Sequence, residues 1–243
     1  MVNNKCKGRQ GHRAYGAYTT YRPHRFPYHL LFIIYCLLFL PLVSCSSDQE
    51  EAEDAFPSLI TEMALIEVGE TTSNITMYTD SGKKYRVAGE LEGLKPRTWG
   101  RGLFGYVLQD ASTVEVRTLL NVPVLPNSSE LSPLKRDPVD VVSAWMGGGF
   151  VNMHLKKKTK GGDHTWGFIL DGSYVNTAGG TTYEVSLYHD QSGDPTAYSM
   201  DVYFSIDEDA LSKHRITGDS VRLSITNFET EPYHWHFPLT PQL

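Results

Sequence analysis

Two histidines stand two residues apart in Tyr233-His234-Trp235-His236-Phe237. On a strand, residues i and i+2 project from one face, so His234 and His236 could meet one ion together. His154 or His189 would be the third ligand. The stronger zinc patterns, His-Glu-x-x-His and paired Cys-x-x-Cys, do not occur in the sequence. The simpler reading is a strand that is polar on its histidine face and apolar at Tyr233, Trp235 and Phe237. On that reading, which we adopt as the expectation, no metal and no cofactor is bound. Nucleophile chemistry is not signalled either. There is no Gly-x-Ser-x-Gly elbow, and no carboxylate spacing singles out an acid–base pair. The chain is therefore expected not to be an enzyme. Trp99 and Trp166 are candidates for stacking on a sugar or peptide, whereas Trp235 alternates with apolar residues and reads as core. The run Lys156-Lys157-Lys158-Thr159-Lys160-Gly161-Gly162-Asp163 could grip an anion, but reads more simply as a charged hairpin tip.

A different chemistry is written at Cys45. No Asp or Glu precedes Asp48, while Lys5, Lys7, Arg9, Arg13, Arg22 and Arg25 all do. An apolar, uncharged stretch follows from Leu30 to Val43. A basic region, a short apolar region and small residues at a cut site make a secretory signal peptide. That stretch is shorter than the ~20 residues a spanning helix needs, and Pro41 interrupts it. Leu42-Val43-Ser44-Cys45 resembles a bacterial lipobox, in which the cysteine is lipidated and becomes the first residue of the mature protein. The expectation is a leader at residues 1–44 and a membrane anchor through lipid on Cys45.

Removal of the leader changes the composition. Cys6 and Cys36 leave with it, so the lipidated chain holds no free thiol and no disulfide. Its stability must come from its core. The whole chain carries 22 Lys and Arg against 28 Asp and Glu. Six of the basic residues fall in the leader, which leaves the mature part at −12. Such a balance argues against a nucleic-acid partner. Residues 45–57 begin Cys45-Ser46-Ser47-Asp48-Gln49-Glu50-Glu51. A like-charged polar run stays extended and reads as a tether. It also resembles the acidic signal that follows the lipidated cysteine of surface-exposed lipoproteins. The expected location is the outer membrane of the cell envelope, facing outward.

Beyond the tether the pattern is β throughout. Leu59 to Val68, Ile75 to Tyr78, Tyr85 to Ala88, Leu103 to Leu108 and Val114 to Leu120 read as five short strands, with Asp80-Ser81-Gly82 as a hairpin turn. Five such strands suit a small OB-like β-barrel, placed at residues 58–126. A polar stretch with Pro123, Pro126, Pro133 and Pro138 reads as the boundary. Residues 127–243 alternate more cleanly. Val151, Met153 and Leu155 oppose Asn152, His154 and Lys156; Tyr198, Met200, Val202, Phe204 and Ile206 oppose Asp201, Tyr203 and Ser205. Val139 to Trp145, Trp166 to Leu170 and the alternating runs near 185, 223 and 235 bring the total to about seven half-buried strands. The expected fold is all-β: a small barrel followed by an immunoglobulin-like antiparallel β-sandwich. Gly147-Gly148-Gly149 lies between two strands and reads as a tight turn or bulge.

The sandwich carries Asp137-Pro138-Val139-Asp140-Val141-Val142, Trp145-Met146-Gly147-Gly148-Gly149-Phe150-Val151-Asn152-Met153-His154 and Leu187-Tyr188-His189-Asp190-Gln191-Ser192-Gly193-Asp194-Pro195. With the lipobox, acidic linker and barrel ahead of it, this order resembles the NigD-like family of lipoproteins. The resemblance implies an OB-like domain followed by a β-sandwich, and an association with bacteriocin-linked operons. It supplies no catalytic residues. The expected function is non-enzymatic binding or scaffolding at the envelope, with an envelope protein or a peptide as partner. The alternative is capture of glycans or peptides in support of uptake.

Overall fold

Period-2 alternation makes the first strands, and their registers close them into a ring. The computed structural model describes residues 58–229 and 231–242. The leader, the tether and Cys45 lie outside those residues. β1 (Ile60–Val68), β2 (Ile75–Thr79), β3 (Lys84–Val87), β4 (Trp99–Leu108) and β5 (Thr113–Asn121) form a closed barrel in the order β1-β2-β3-β5-β4. β3 and β5 run parallel and β4 returns to β1. Ile66, Ile75, Met77, Phe104, Tyr106 and Val114 fill the inside. The barrel expectation thus holds, with one extension. β4 begins at Trp99 rather than near Leu103, because Gly100 and Gly102 alternate with Trp99, Arg101 and Leu103. Glycine at both positions erases the apolar face that alternation would have revealed.

The sandwich has seven strands in two sheets. β6 (Asp140–Gly147), β7 (Phe150–Thr159) and β10 (Tyr198–Asp207) form one sheet in the order β10-β7-β6. β8 (Thr165–Val175), β9 (Thr181–Asp190), β11 (Ser220–Ile225) and β12 (Tyr233–Pro238) form the other, in the order β12-β11-β9-β8. A one-turn helix, α1 (Glu208–Leu211), follows β10. The inward sets Val151, Met153 and Leu155 and Val221, Leu223 and Ile225 meet in one core, as alternation predicts. β9 and β11 pair in parallel, a departure from a purely antiparallel sandwich. β10 crosses to the opposite sheet between them, which permits that direction. The strand expected over Trp166 to Leu170 runs further: the register shifts at a bulge between Leu170 and Gly172, and β8 continues past it to Val175.

Alternation overreaches in one strand. Tyr198 and Met200, expected inside, are exposed, and β10 becomes buried only toward Phe204. β10 is an edge strand, and a shared face is core only where a second layer covers it. The proline-bearing stretch is also not a loose linker. Leu125 belongs to the sandwich core, and Val124, Asn127 and Arg136 bridge to Ser205, Phe168 and His189.

Gly148 and Gly149 turn β6 into β7 with φ of 60° and 83°. Two consecutive positive φ values suit a two-residue hairpin. The side of this turn is occupied by Asp80: a Cβ on Gly148 would come within 2.3 Å of its Oδ1. Gly148→Ala is therefore expected to cost about 2 kcal/mol, from left-handed backbone strain and displacement of Asp80. A fall in urea midpoint tests it, and an unchanged midpoint would contradict the close packing.

Candidate functional site: an aromatic groove on the barrel

Because Ile66, Ile75, Met77, Tyr85 and Val87 point inward, their neighbours point out. Register places Trp99 opposite Glu67, Glu67 opposite Thr76, and Thr76 opposite Arg86. Directly opposed residues share a face, so these four form a row across β4, β1, β2 and β3 on the barrel's outer surface. The next row carries Leu65, Tyr78 and Lys84. The Tyr78 hydroxyl donates to Glu67 Oε2 at 3.2 Å, and Lys84 Nζ sits 5.2 Å from the Tyr78 ring centre.

At the Trp99 end two loops frame a groove of about 670 Å³. Gly69, Glu70 and Asn74 supply one wall; Arg97, Thr98 and Trp99 supply the other. Backbone hydrogen bonds pin these loops together: Val68 N donates to Thr98 O at 2.8 Å and Arg97 N to Gly69 O at 2.9 Å. Arg97 has a φ of 57° and its Nε donates to Glu70 Oε2 at 3.1 Å. Both of those side chains are solvent-exposed, so their pairing adds little stability. Trp99 is 59% exposed at the rim. An indole held open at the start of β4 adds nothing to a core, and the groove beside it is the candidate binding surface.

One step along β4 the same outer face is covered. Arg101 is buried between barrel and sandwich, where its guanidinium holds Asp80, Asn152 and Ser205. Trp99 thus extends from a strand whose next outward residue is fixed at the domain junction.

The other sequence candidates fall elsewhere. Trp166 is half-buried, stacked on His189 at 3.9 Å with planes 10° apart and packed on Phe204 at 4.7 Å. It is no open platform, because the sandwich core occupies its faces. His236 Nε2 lies 3.0 Å from Ser220 Oγ, and His234 borders a shallow depression with Asp171, Glu184, Arg222 and Ser224. His154, on the opposite sheet, meets Asp201 at 2.7 Å and stacks on Tyr203. His189 is buried and bonded to Asp137 and His164. The proposed third ligands are therefore engaged away from His234 and His236. Among the described residues no group of three or more His, Cys, Asp or Glu is placed to hold a metal ion. Lys156 to Lys158 lie within β7, not at a hairpin tip, and Lys158 Nζ is 3.7 Å from Asp140 Oδ2.

Sequence reasoning singled out Trp99 but missed Glu67, Thr76 and Arg86. No local signal marks them, because only strand register brings them into line. It also missed His164, buried beside His189 and Asp194.

Residues 122–238 match the family model of the NigD-like C-terminal beta sandwich domain. The crystal structure of a NigD-like immunity protein from Bacteroides caccae is similar, at 25% identity and a TM-score of 0.59, covering 77% of this chain and 99% of that one. A protein of unknown function from Bacteroides vulgatus shares the fold at 14% identity and a TM-score of 0.59, over 75% of this chain and 92% of its own. No curated protein matches.

Proposed function

We propose that this chain, NigD-like through its C-terminal β-sandwich at residues 122–238, is a non-enzymatic binding protein of the cell envelope. Lipid on Cys45 holds it to the outer membrane, and it takes its partner in the groove beside Trp99. The observation that carries this reading is the exposure of Trp99. The other three tryptophans are half-buried, while this one stands open at a groove built from pinned loops. A groove with an aromatic rim favours capture over flat scaffolding. The acidic run after Cys45 supports outward display, since it resembles the acidic signal that follows the lipidated cysteine of surface-exposed lipoproteins.

A second reading is immunity toward a peptide toxin. It is favoured by the likeness to the Bacteroides caccae immunity protein, which spans nearly all of that chain. Under it, the same groove would hold a peptide.

Both readings place a lipid on one atom. Cys45→Ser is expected to abolish incorporation of labelled palmitate and to leave the protein uncleaved or soluble. Retained label would end the anchor assignment. For the groove, a photo-crosslinking residue at Asn74 on intact cells is expected to capture a partner that the same residue at Thr177, on the far domain, does not. Equal capture from both positions would remove the groove from the reading.

A further inference from the structure

We infer that the ligand of the Trp99 groove is a neutral oligosaccharide, laid across the barrel's outer face along Trp99, Glu67, Thr76 and Arg86. This rests on the groove being the binding site. Four observations select that chemistry.

The first is the exposed indole. A flat aromatic face open to solvent is satisfied by a flat apolar face, and the C–H face of a pyranose ring provides one. The second is the row itself. Four side chains on adjacent strands, spaced ~4.8 Å apart, span roughly 14 Å, long enough for a chain of linked rings rather than a single small molecule. Along it come a carboxylate, a hydroxyl and a guanidinium. One accepts only, one does both, and one donates only. A ligand rich in hydroxyls answers all three, because each hydroxyl can donate or accept. The Tyr78 hydroxyl orients Glu67, and no other hydrogen bond engages that carboxylate among the described residues.

The third observation is charge. Glu67 and Glu70 stand against Lys84, Arg86 and Arg97, so acid and base are interspersed and the face carries no strong field of one sign. A nucleic acid requires a basic track, and a cationic peptide an acidic one. The fourth is closure. Peptides that bind sheets usually add a strand to an open edge, and the barrel strands close on one another. Recognition here falls to side chains alone.

The test uses the purified full-length protein in detergent and five probes: maltohexaose, cellohexaose, laminarihexaose, xylohexaose and mannohexaose. An oligothymidine and an oligolysine serve as comparators. Isothermal titration is expected to show saturable binding of at least one hexaose and none of either charged polymer. Trp99→Ala is expected to weaken that binding at least about tenfold, the loss of one stacking contact. Its melting temperature should stay unchanged, since an exposed side chain outside any core contributes little stability. Arg86→Ala should weaken the longer hexaose more than the matching disaccharide. Binding of none of the five, or binding that survives Trp99→Ala, overturns the proposal. Tighter binding of oligolysine would replace the glycan with a cationic peptide. If no hexaose binds while Asn74 still crosslinks a partner on cells, the glycan falls and the groove stands.

Discussion

Arg101→Met is expected to lower the stability of this protein by about 3–5 kcal/mol, the cost of removing one partner from a buried ion pair. The Arg101 side chain is only 1% exposed. Its Nη1 and Nη2 donate to the two oxygens of Asp80, each at 2.6 Å. Nη2 also donates to Asn152 Oδ1 at 2.9 Å, and Nε to Ser205 Oγ at 3.4 Å. The guanidinium lies 4.4 Å from the Phe150 ring centre. Arg101 and Asp80 belong to the barrel, whereas Asn152, Ser205 and Phe150 belong to the sandwich. Methionine fills much of the volume but strands the Asp80 carboxylate, which is 12% exposed, without its counter-charge. Arg101→Lys fares little better, because a single ammonium cannot reproduce the paired donors. Combining Arg101→Met with Asp80→Asn removes both charges, and is expected to recover part of the loss. Urea unfolding of the three variants checks this. A loss below about 1 kcal/mol in Arg101→Met, the range of a surface pair, would show that the junction is not held by this cluster.

The second large effect is acid sensitivity from a buried histidine chain. The Asp137 carbonyl can only accept, so His189 Nδ1 donates to it at 2.9 Å. Neutral His189 then accepts at Nε2, 2.8 Å from His164 Nδ1, which donates. The other ring nitrogen of His164 lies 3.1 Å from Asp194 Oδ2. Burial pushes His189 down to about 4, which outweighs the pull of the Asp137 carbonyl. The unfolded chain takes up that proton near pH 6.5 while the folded chain resists. Stability from His189 is therefore whole above pH 6.5 and drains as pH falls toward 4, by about 3 kcal/mol. Asp194 adds in the same direction at lower pH. The Thr159 hydroxyl, then His164 and the Lys160 amide, hold it down to about 2, so its contribution is lost as pH drops below its ordinary 3.8. Urea midpoints should stay level from pH 7.5 to about 6.5 and then fall toward pH 4.5, and His189→Gln should flatten that fall. A flat profile in the parent protein would mean that His189 does not stay neutral when folded.

Both clusters explain motifs that sequence could only describe. Gly147-Gly148-Gly149 was legible as a turn, but its lack of side chains also serves Asp80, which approaches from the barrel. Asn152 alternates with core residues and reads as an outward polar position. It is fully buried because the barrel covers that side of β7. Similarly, Trp99 and Trp166 are equally plausible platforms in sequence. Their fates part because one sits at the open rim of a barrel and the other faces a packed sheet.

The sequence by itself determined the elements: which residues alternate, where turns fall, that a barrel precedes a sandwich, and which cysteine could carry lipid. Those are local properties, carried by neighbours one, two or four positions away. Only the tertiary structure decided what covers each face and what stands opposite each side chain. Arg101 meets Ser205 across 104 positions, Asp80 meets Asn152 across 72, and the Trp99 row exists only through three strand registers. Alternation assigns a side chain to a face, but whether that face meets core, a second domain or water depends on packing between segments far apart in the chain.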